Sequence, residues 1–148
     1  MSAKEYQEML RKRKPSKYHN KKVYVYEDGF VSLEFSLKNH GKVIEKYDSE
    51  KEYSRSRELL LLKRAGKISD LKRQAEMVIQ EGFQSPDGKK HAPIVYKADF
   101  VYERDGKIIV EDVKGQDERT GRLLMTEAFR LKWKLLQAKY PQYQFELY

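Results

Sequence analysis

Residues 97–115 read KADFVYERDGKIIVEDVKG, and the fold is decided there. Two runs rich in β-branched and aromatic residues, ADFVYER and KIIVEDVK, flank Asp105-Gly106. That dipeptide favours a two-residue type I′ turn, because both of its positions tolerate positive φ. With it as the turn, Arg104 pairs with Lys107, and counting outward sets Asp99 directly opposite Asp112. Opposed side chains in an antiparallel pair have Cβ atoms about 5 Å apart, where like charges weaken the ladder. A hard divalent cation between the two carboxylates removes the conflict. Magnesium, which binds through one or two carboxylates and keeps several waters, suits the place.

The period of two puts Lys114 on the face of Asp112. The same register sets Lys97 opposite Lys114, so two ammonium groups are expected beside two carboxylates. Val95, Val101, Ile108 and Val110 share this face, which marks it as largely buried, and Glu111 points to the other face as a supporting residue.

The spacing of Asp99, twelve residues, then Asp112-Val113-Lys114 resembles the PD-(D/E)XK nuclease superfamily. The wider set YHNKKV (18–23), DSEKEY (48–53), AGKISDLKRQ (65–74), ADFVY and EDVKG is similar to a family of small phage proteins often without assigned function, over roughly residues 18–147. Ala98 stands where the superfamily's name has proline, a commonly variable position. The resemblance implies an α/β fold with a core of helix, three-stranded antiparallel meander, helix and strand. It implies a metal-dependent endonuclease hydrolysing DNA phosphodiester bonds. Asp99 and Asp112 would be metal ligands, joined by the Val113 backbone carbonyl, with Lys114 as the catalytic lysine beside the attacking water. Magnesium would be the cofactor, with manganese able to substitute. Analogy with resolvase-like relatives suggests branched or junction DNA in phage recombination or replication. A non-catalytic DNA-binding accessory protein on the same fold is the alternative from another class, and an RNA-directed nuclease is a third.

Composition sets the frame. At 148 residues the chain suffices for one core. With no cysteine it has neither a disulfide framework nor a thiolate metal site, which suits a reducing cytosol. No apolar run approaches the ~18 residues of a membrane span, and no signal peptide is legible. A cytoplasmic protein without a membrane partner is expected, in the bacterial host if phage-encoded. The net charge of +8 is uneven: residues 1–22 hold eight Lys or Arg against Glu5 and Glu8, a net of +6. Arg11, Lys12, Arg13, Lys14, Lys17, Lys21 and Lys22 therefore form a basic arm suited to a polyanion, with DNA the expected partner. A solvated tail is the plain alternative. His19, His40 and His91 show no ligand pairing, and no glycine-rich phosphate loop occurs.

The remaining elements follow from periodicity. Ser2, Glu5, Tyr6, Met9 and Leu10 are spaced for a short helix ended by Pro15 within the 1–22 arm. Residues 23–148 then read as one domain, with 23–47 an appended β segment of two or three short strands, a meander by its turns at Glu27-Asp28-Gly29 and Asn39-His40-Gly41. A helix is expected from Ser49 or Glu50 to Arg64, stopped at Ala65-Gly66. Glu52 has two readings: the acid of a capping box with Ser49, or, sharing a side with Arg55, Leu59 and Leu62, a core-facing third acidic group. The resemblance favours the second and gives Glu52 a share in holding metal or water. Residues 70–80 read as the first core strand, with Gln74 an auxiliary polar group or a solvent-facing one, and 82–93 as a loop. Lys97 is counted as auxiliary as well. A helix is expected over 122–139, with Leu124, Ala128, Leu131, Leu135 and Ala138 as its core stripe. Met125, Phe129, Trp133 and Leu136 form a second apolar patch, to be covered by the N-terminal helix or by a second copy of the chain. Tyr143, Phe145 and Leu147 alternate as a last strand.

Overall fold

The computed structural model describes residues 21–33, 35 and 40–148. The expected N-terminal helix and, apart from Lys21 and Lys22, the basic arm lie outside these. Both of those lysines are exposed, and Lys22 pairs with Asp48 at 3.7 Å. The chain forms two compact units, residues 1–50 and 51–148.

In the first unit, β1 (Val23–Tyr26), β2 (Val31–Ser32) and β3 (Val43–Tyr47) form an antiparallel sheet in the order β2-β1-β3. A meander would place β2 in the middle; here β1 is central. The first turn is built as its residues require, with Gly29 at φ 83 and the Asp28 carboxylate accepting from Phe30 N–H at 2.9 Å.

The second unit follows α1 (Glu50–Arg64), most of which lies within it, through β4 (Ser69–Gln80), β5 (Phe83–Gln84), β6 (Lys90–His91), β7 (Ile94–Arg104), β8 (Lys107–Asp112), α2 (Glu127–Lys139) and β9 (Gln144–Leu147). Its main sheet has the order β4-β7-β8-β9, with β8 and β9 parallel and the other pairs antiparallel. The architecture is α/β, in the order helix, three antiparallel strands, helix, strand. The segment expected as a loop, 82–93, carries the small β5–β6 hairpin.

Local chemistry explains the ends of these elements. At the end of α1, Gly66 takes φ 68. Lys67 N–H donates to Leu62 O and Gly66 N–H to Lys63 O, the pair of bonds by which a left-handed glycine closes a helix. Asp105 and Gly106 both have positive φ, 52 and 72, as a type I′ turn demands. The ladder runs from Arg104↔Lys107 to Phe100↔Glu111 in the expected register and ends one pair short of Asp99 and Asp112.

Two core clusters lie against this sheet. One joins Met77, Tyr96, Ala98 and Val110 with Trp133 and Leu136 of α2. The other joins Phe100, Tyr102 and Ile109 with Leu59 of α1 and Ile68. Strict alternation would put Tyr96, Ala98, Phe100 and Tyr102 on one face. They divide between the clusters instead, and Val101 joins Tyr96 and Ala98 on the α2 side. The alternation therefore breaks at Asp99. On the neighbouring strand it breaks at Gln74, which has φ 50 in mid-strand, so that Leu71 packs with the α1 cluster and Met77 with the α2 cluster. The register of β4 with β7 is the same on both sides of this level. The two strands thus change face together.

Three expectations are corrected here. α2 begins at Glu127, not Arg122, because residues 116–123 are drawn into a tight turn in which the Asp117 carboxylate accepts from Arg119 and Thr120 N–H and Gln116 bridges to Leu123. Thr126 caps the helix, its hydroxyl accepting from Phe129 N–H at 3.1 Å. The apolar stripes of α2 are also exchanged: Leu131 is 60% and Leu135 43% exposed, while Trp133 and Leu136 are buried and Phe129 packs against them. Phe129, Trp133 and Leu136 of the second patch are therefore engaged in the core, while Met125 lies half-buried ahead of the helix, so most of the surface expected to need a second copy is covered within the chain. Finally, the more deeply buried parity in β7 is Tyr96, Ala98, Phe100 and Tyr102, not that of Val95 and Val101.

Candidate functional site

The break in alternation is where the acidic side chains meet. Asp99 sits at the break in β7, Asp112 ends β8, Glu52 lies in the first turn of α1 and Gln74 is one of two residues of β4 at positive φ, with Asp70 at the strand's start. The Gln74 amide donates to Glu52 Oε1 and to Asp99 Oδ1, each at 3.3 Å, and so links α1, β4 and β7. The other oxygen of Asp99, Oδ2, accepts from Val113 N–H at 2.8 Å. A non-glycine residue at positive φ inside a strand costs of order 1 kcal/mol or more and persists where its surroundings dictate it. At Gln74 those surroundings are the two carboxylates.

Asp112 is buried. The Tyr96 hydroxyl donates to its Oδ1, and the Lys114 ammonium stands 2.5 Å from its Oδ2. Lys114 also lies 3.7 Å above the centre of the Phe129 ring, so α2 holds the lysine from one side and Asp112 from the other. Burial, then the charge of Asp112 and the hydrogen bond to it, push the Tyr96 hydroxyl well above its ordinary pKa; it remains a donor throughout the physiological range.

Asp99 is the perturbed acid of the group. Burial first, and the charge of Asp112 second, raise its pKa to about 7, against the opposing pull of Val113 N–H. A buried carboxylate, Asp112, beside a half-buried one, Asp99, with oxygen donors around them, suits a hard divalent cation. Asp99 and Asp112 are the residues that would hold it. Of the carbonyls beside them, that of Asp112 accepts from Tyr148 N–H and that of Lys114 from Lys51 Nζ, while that of Val113 accepts from none of the described residues. Among the described residues no three His, Cys, Asp or Glu side chains are gathered as a ready cage. Gln74 stands between Glu52 and Asp99, which places Glu52, also 3.8 Å from Arg73, one side chain behind the aspartates.

Of the residues expected at this place, Glu52, Gln74, Asp99, Asp112 and Lys114 come together. Lys97 does not. Because alternation breaks at Asp99, Lys97 faces away from Lys114; its side chain is 56% exposed and pairs with Glu76 at 3.8 Å. Glu111 also points away, fully buried and held by Arg55 through two bonds of 2.7 and 2.8 Å and by the Tyr102 hydroxyl at 2.8 Å. Tyr96 is the contact that strand parity conceals. Three positions before Asp99, it belongs to the opposite face of a regular strand, and only the break brings the two to the same neighbour. Phe129 carried a signal of a different kind, its place in an apolar patch, which says nothing of a cation above it.

A sequence family described as "Protein of unknown function (DUF1064)" matches residues 14–147, and the chain belongs to it. No curated protein is significantly similar to the chain.

Proposed function

We propose that this member of the family is a metal-dependent endonuclease of the PD-(D/E)XK type acting on DNA. The observation that carries the reading is the meeting of Asp99, Asp112 and Lys114: Lys114 pairs with Asp112, and Asp99, bound by Val113 N–H next to Asp112, feels the charge of both. The order helix, three strands, helix, strand supports it as well. A bound magnesium would polarise the phosphoryl oxygens and lower the pKa of an attacking water. The chain's own side chains do the rest. Asp99 and Asp112 hold the cation, Gln74 and Val113 N–H fix the Asp99 carboxyl, and Tyr96 fixes that of Asp112. Lys114, supported on Phe129, presents a positive charge to the phosphate and is placed to orient the attacking water. The partner is DNA, with branched substrates suggested by the resolvase-like resemblance alone.

One observation favours a second reading, a DNA-binding accessory protein: both oxygens of Asp112 are engaged by the chain's own side chains, Oδ1 by Tyr96 and Oδ2 by Lys114. The two are separated by incubating a four-way junction, a flap, duplex and single-stranded DNA, and an RNA control, with magnesium, manganese or chelator, using wild type and Lys114→Ala. Metal-dependent cutting lost in the variant supports the nuclease. Salt-sensitive binding with no cutting of any substrate supports the accessory protein, and cutting of RNA alone redirects the substrate.

A further inference from the structure

We infer that Arg55, Glu111 and Tyr148 form a clamp that sets the backbone of residues 112–114, and that Tyr148 is a positioning residue for the metal-binding aspartates. The inference rests on the nuclease reading for the identity of what is positioned, and on hydrogen bonds for the clamp itself. Beyond the last pair of the β8–β9 ladder, Asp112↔Leu147, the parallel bonding continues for one residue: Tyr148 N–H donates to Asp112 O and Lys114 N–H donates to Tyr148 O, each at 3.0 Å. The main chain of Tyr148 therefore grips both ends of the Asp112-Val113-Lys114 tripeptide, leaving the Val113 carbonyl between the two bonds.

That grip depends on the side chain of Tyr148 being held. The Arg55 guanidinium lies 4.2 Å from the centre of its ring, and its hydroxyl reaches Glu58 Oε2 at 3.1 Å, which Arg55 also binds at 2.9 Å. Arg55 is in turn fixed by its planar, two-point contact with buried Glu111, the residue directly before the tripeptide. A lysine cannot reproduce that fork. The loop of contacts closes: α1 holds Glu111 from below the strand, and through Arg55 and Tyr148 it holds the backbone of the next three residues from the strand's edge. Groups that orient metal ligands in this indirect way commonly govern metal affinity by 10–100-fold.

The test uses the full chain and manganese as the probe. Manganese affinity is measured by titration calorimetry well below the unfolding temperature, and amide hydrogen exchange at Val113 and Lys114 is followed in parallel, for wild type, Tyr148→Ala, Tyr148→Phe and Arg55→Lys. The expected result is manganese binding weakened about tenfold and faster exchange at Lys114 in Tyr148→Ala and Arg55→Lys, with Tyr148→Phe, which keeps the ring under Arg55, within about twofold of wild type. A folded Tyr148→Ala that binds manganese as tightly as wild type overturns the clamp and leaves the nuclease reading intact. A wild type that binds no manganese overturns both. Should Tyr148→Ala fail to fold, Arg55→Lys decides by the same two criteria.

Discussion

At the Asp99 carboxyl, burial and the charge of Asp112 act in one direction, and the pKa near 7 against 3.8 for the free side chain has a stability consequence. A folded-state pKa raised above the unfolded value means that the protonated acid is the better tolerated form. The stabilisation is complete below about pH 4 and is lost as pH rises to 7, after which it changes no further. The shift corresponds to about 4 kcal/mol at most, at 1.36 kcal/mol per pKa unit. In urea unfolding with chelator present, wild type should lose stability relative to Asp99→Asn between pH 5 and pH 8. Magnesium should restore more stability to wild type at pH 8 than at pH 5, since the cation competes with the proton. A pH-independent difference between the two proteins would mean that Asp99 ionises normally. At Asp112 the expectation concerns function: Asp112→Asn should abolish metal-dependent cleavage while DNA binding in chelator is retained, because the amide keeps the shape and removes the ligand charge. Loss of binding together with folding would instead make Asp112 a structural residue.

On the scale of elements, α2 gives the sharpest contrast. Trp133 packs between Tyr96, Phe129 and Phe145, at ring separations of 5.8, 5.4 and 5.3 Å, whereas Leu131 on the same helix is mostly exposed. Trp133→Ala should cost about 3–5 kcal/mol of unfolding free energy, and Leu131→Ala less than about 1 kcal/mol, measured by denaturant midpoint. The reverse order would restore the stripe that spacing favours. That spacing misled for a physical reason: both stripes of α2 are apolar, so periodicity identifies the helix without choosing its buried side. The aromatic residues settle it, because their rings fill the space over Tyr96. Where signals are local, the sequence was legible. Asp105-Gly106 fixed the β7–β8 register, Gly66 marked the end of α1, and with them came the convergence of Asp99, Asp112 and Lys114. The simultaneous break at Gln74 and Asp99 had no such signal, since neither residue is a glycine and unbroken alternation is the simpler pattern. Lys97 was misplaced and Tyr96 concealed by that one departure. Gln74→Gly should test its cost directly: relief of positive φ predicts a change in stability no worse than neutral despite the lost amide, read from the urea midpoint. A large destabilisation would show that the Glu52–Gln74–Asp99 contacts outweigh the strain.

For the whole molecule the relevant quantity is charge. Of the net +8, +6 falls within residues 1–22, so a DNA-binding chain of this composition should owe most of its phosphate contacts to that arm. Each phosphate neutralised by Lys or Arg adds about 0.9 to the slope of log affinity against log salt on duplex DNA. Replacing Arg11, Lys12, Arg13, Lys14, Lys17, Lys21 and Lys22 together by Gln should therefore flatten that slope by as much as about 6 if all seven reach phosphates, and weaken binding most at low salt. Measuring affinity by fluorescence anisotropy in chelator, from low to moderate salt, separates this term from cleavage. Because phosphate contacts carry no base information, the loss should be the same for unrelated duplex sequences. A slope unchanged by the seven substitutions would make the arm a solvated tail. Binding would then fall to the modest positive balance of the remaining chain and to whatever structural preference the aspartate site has for its DNA.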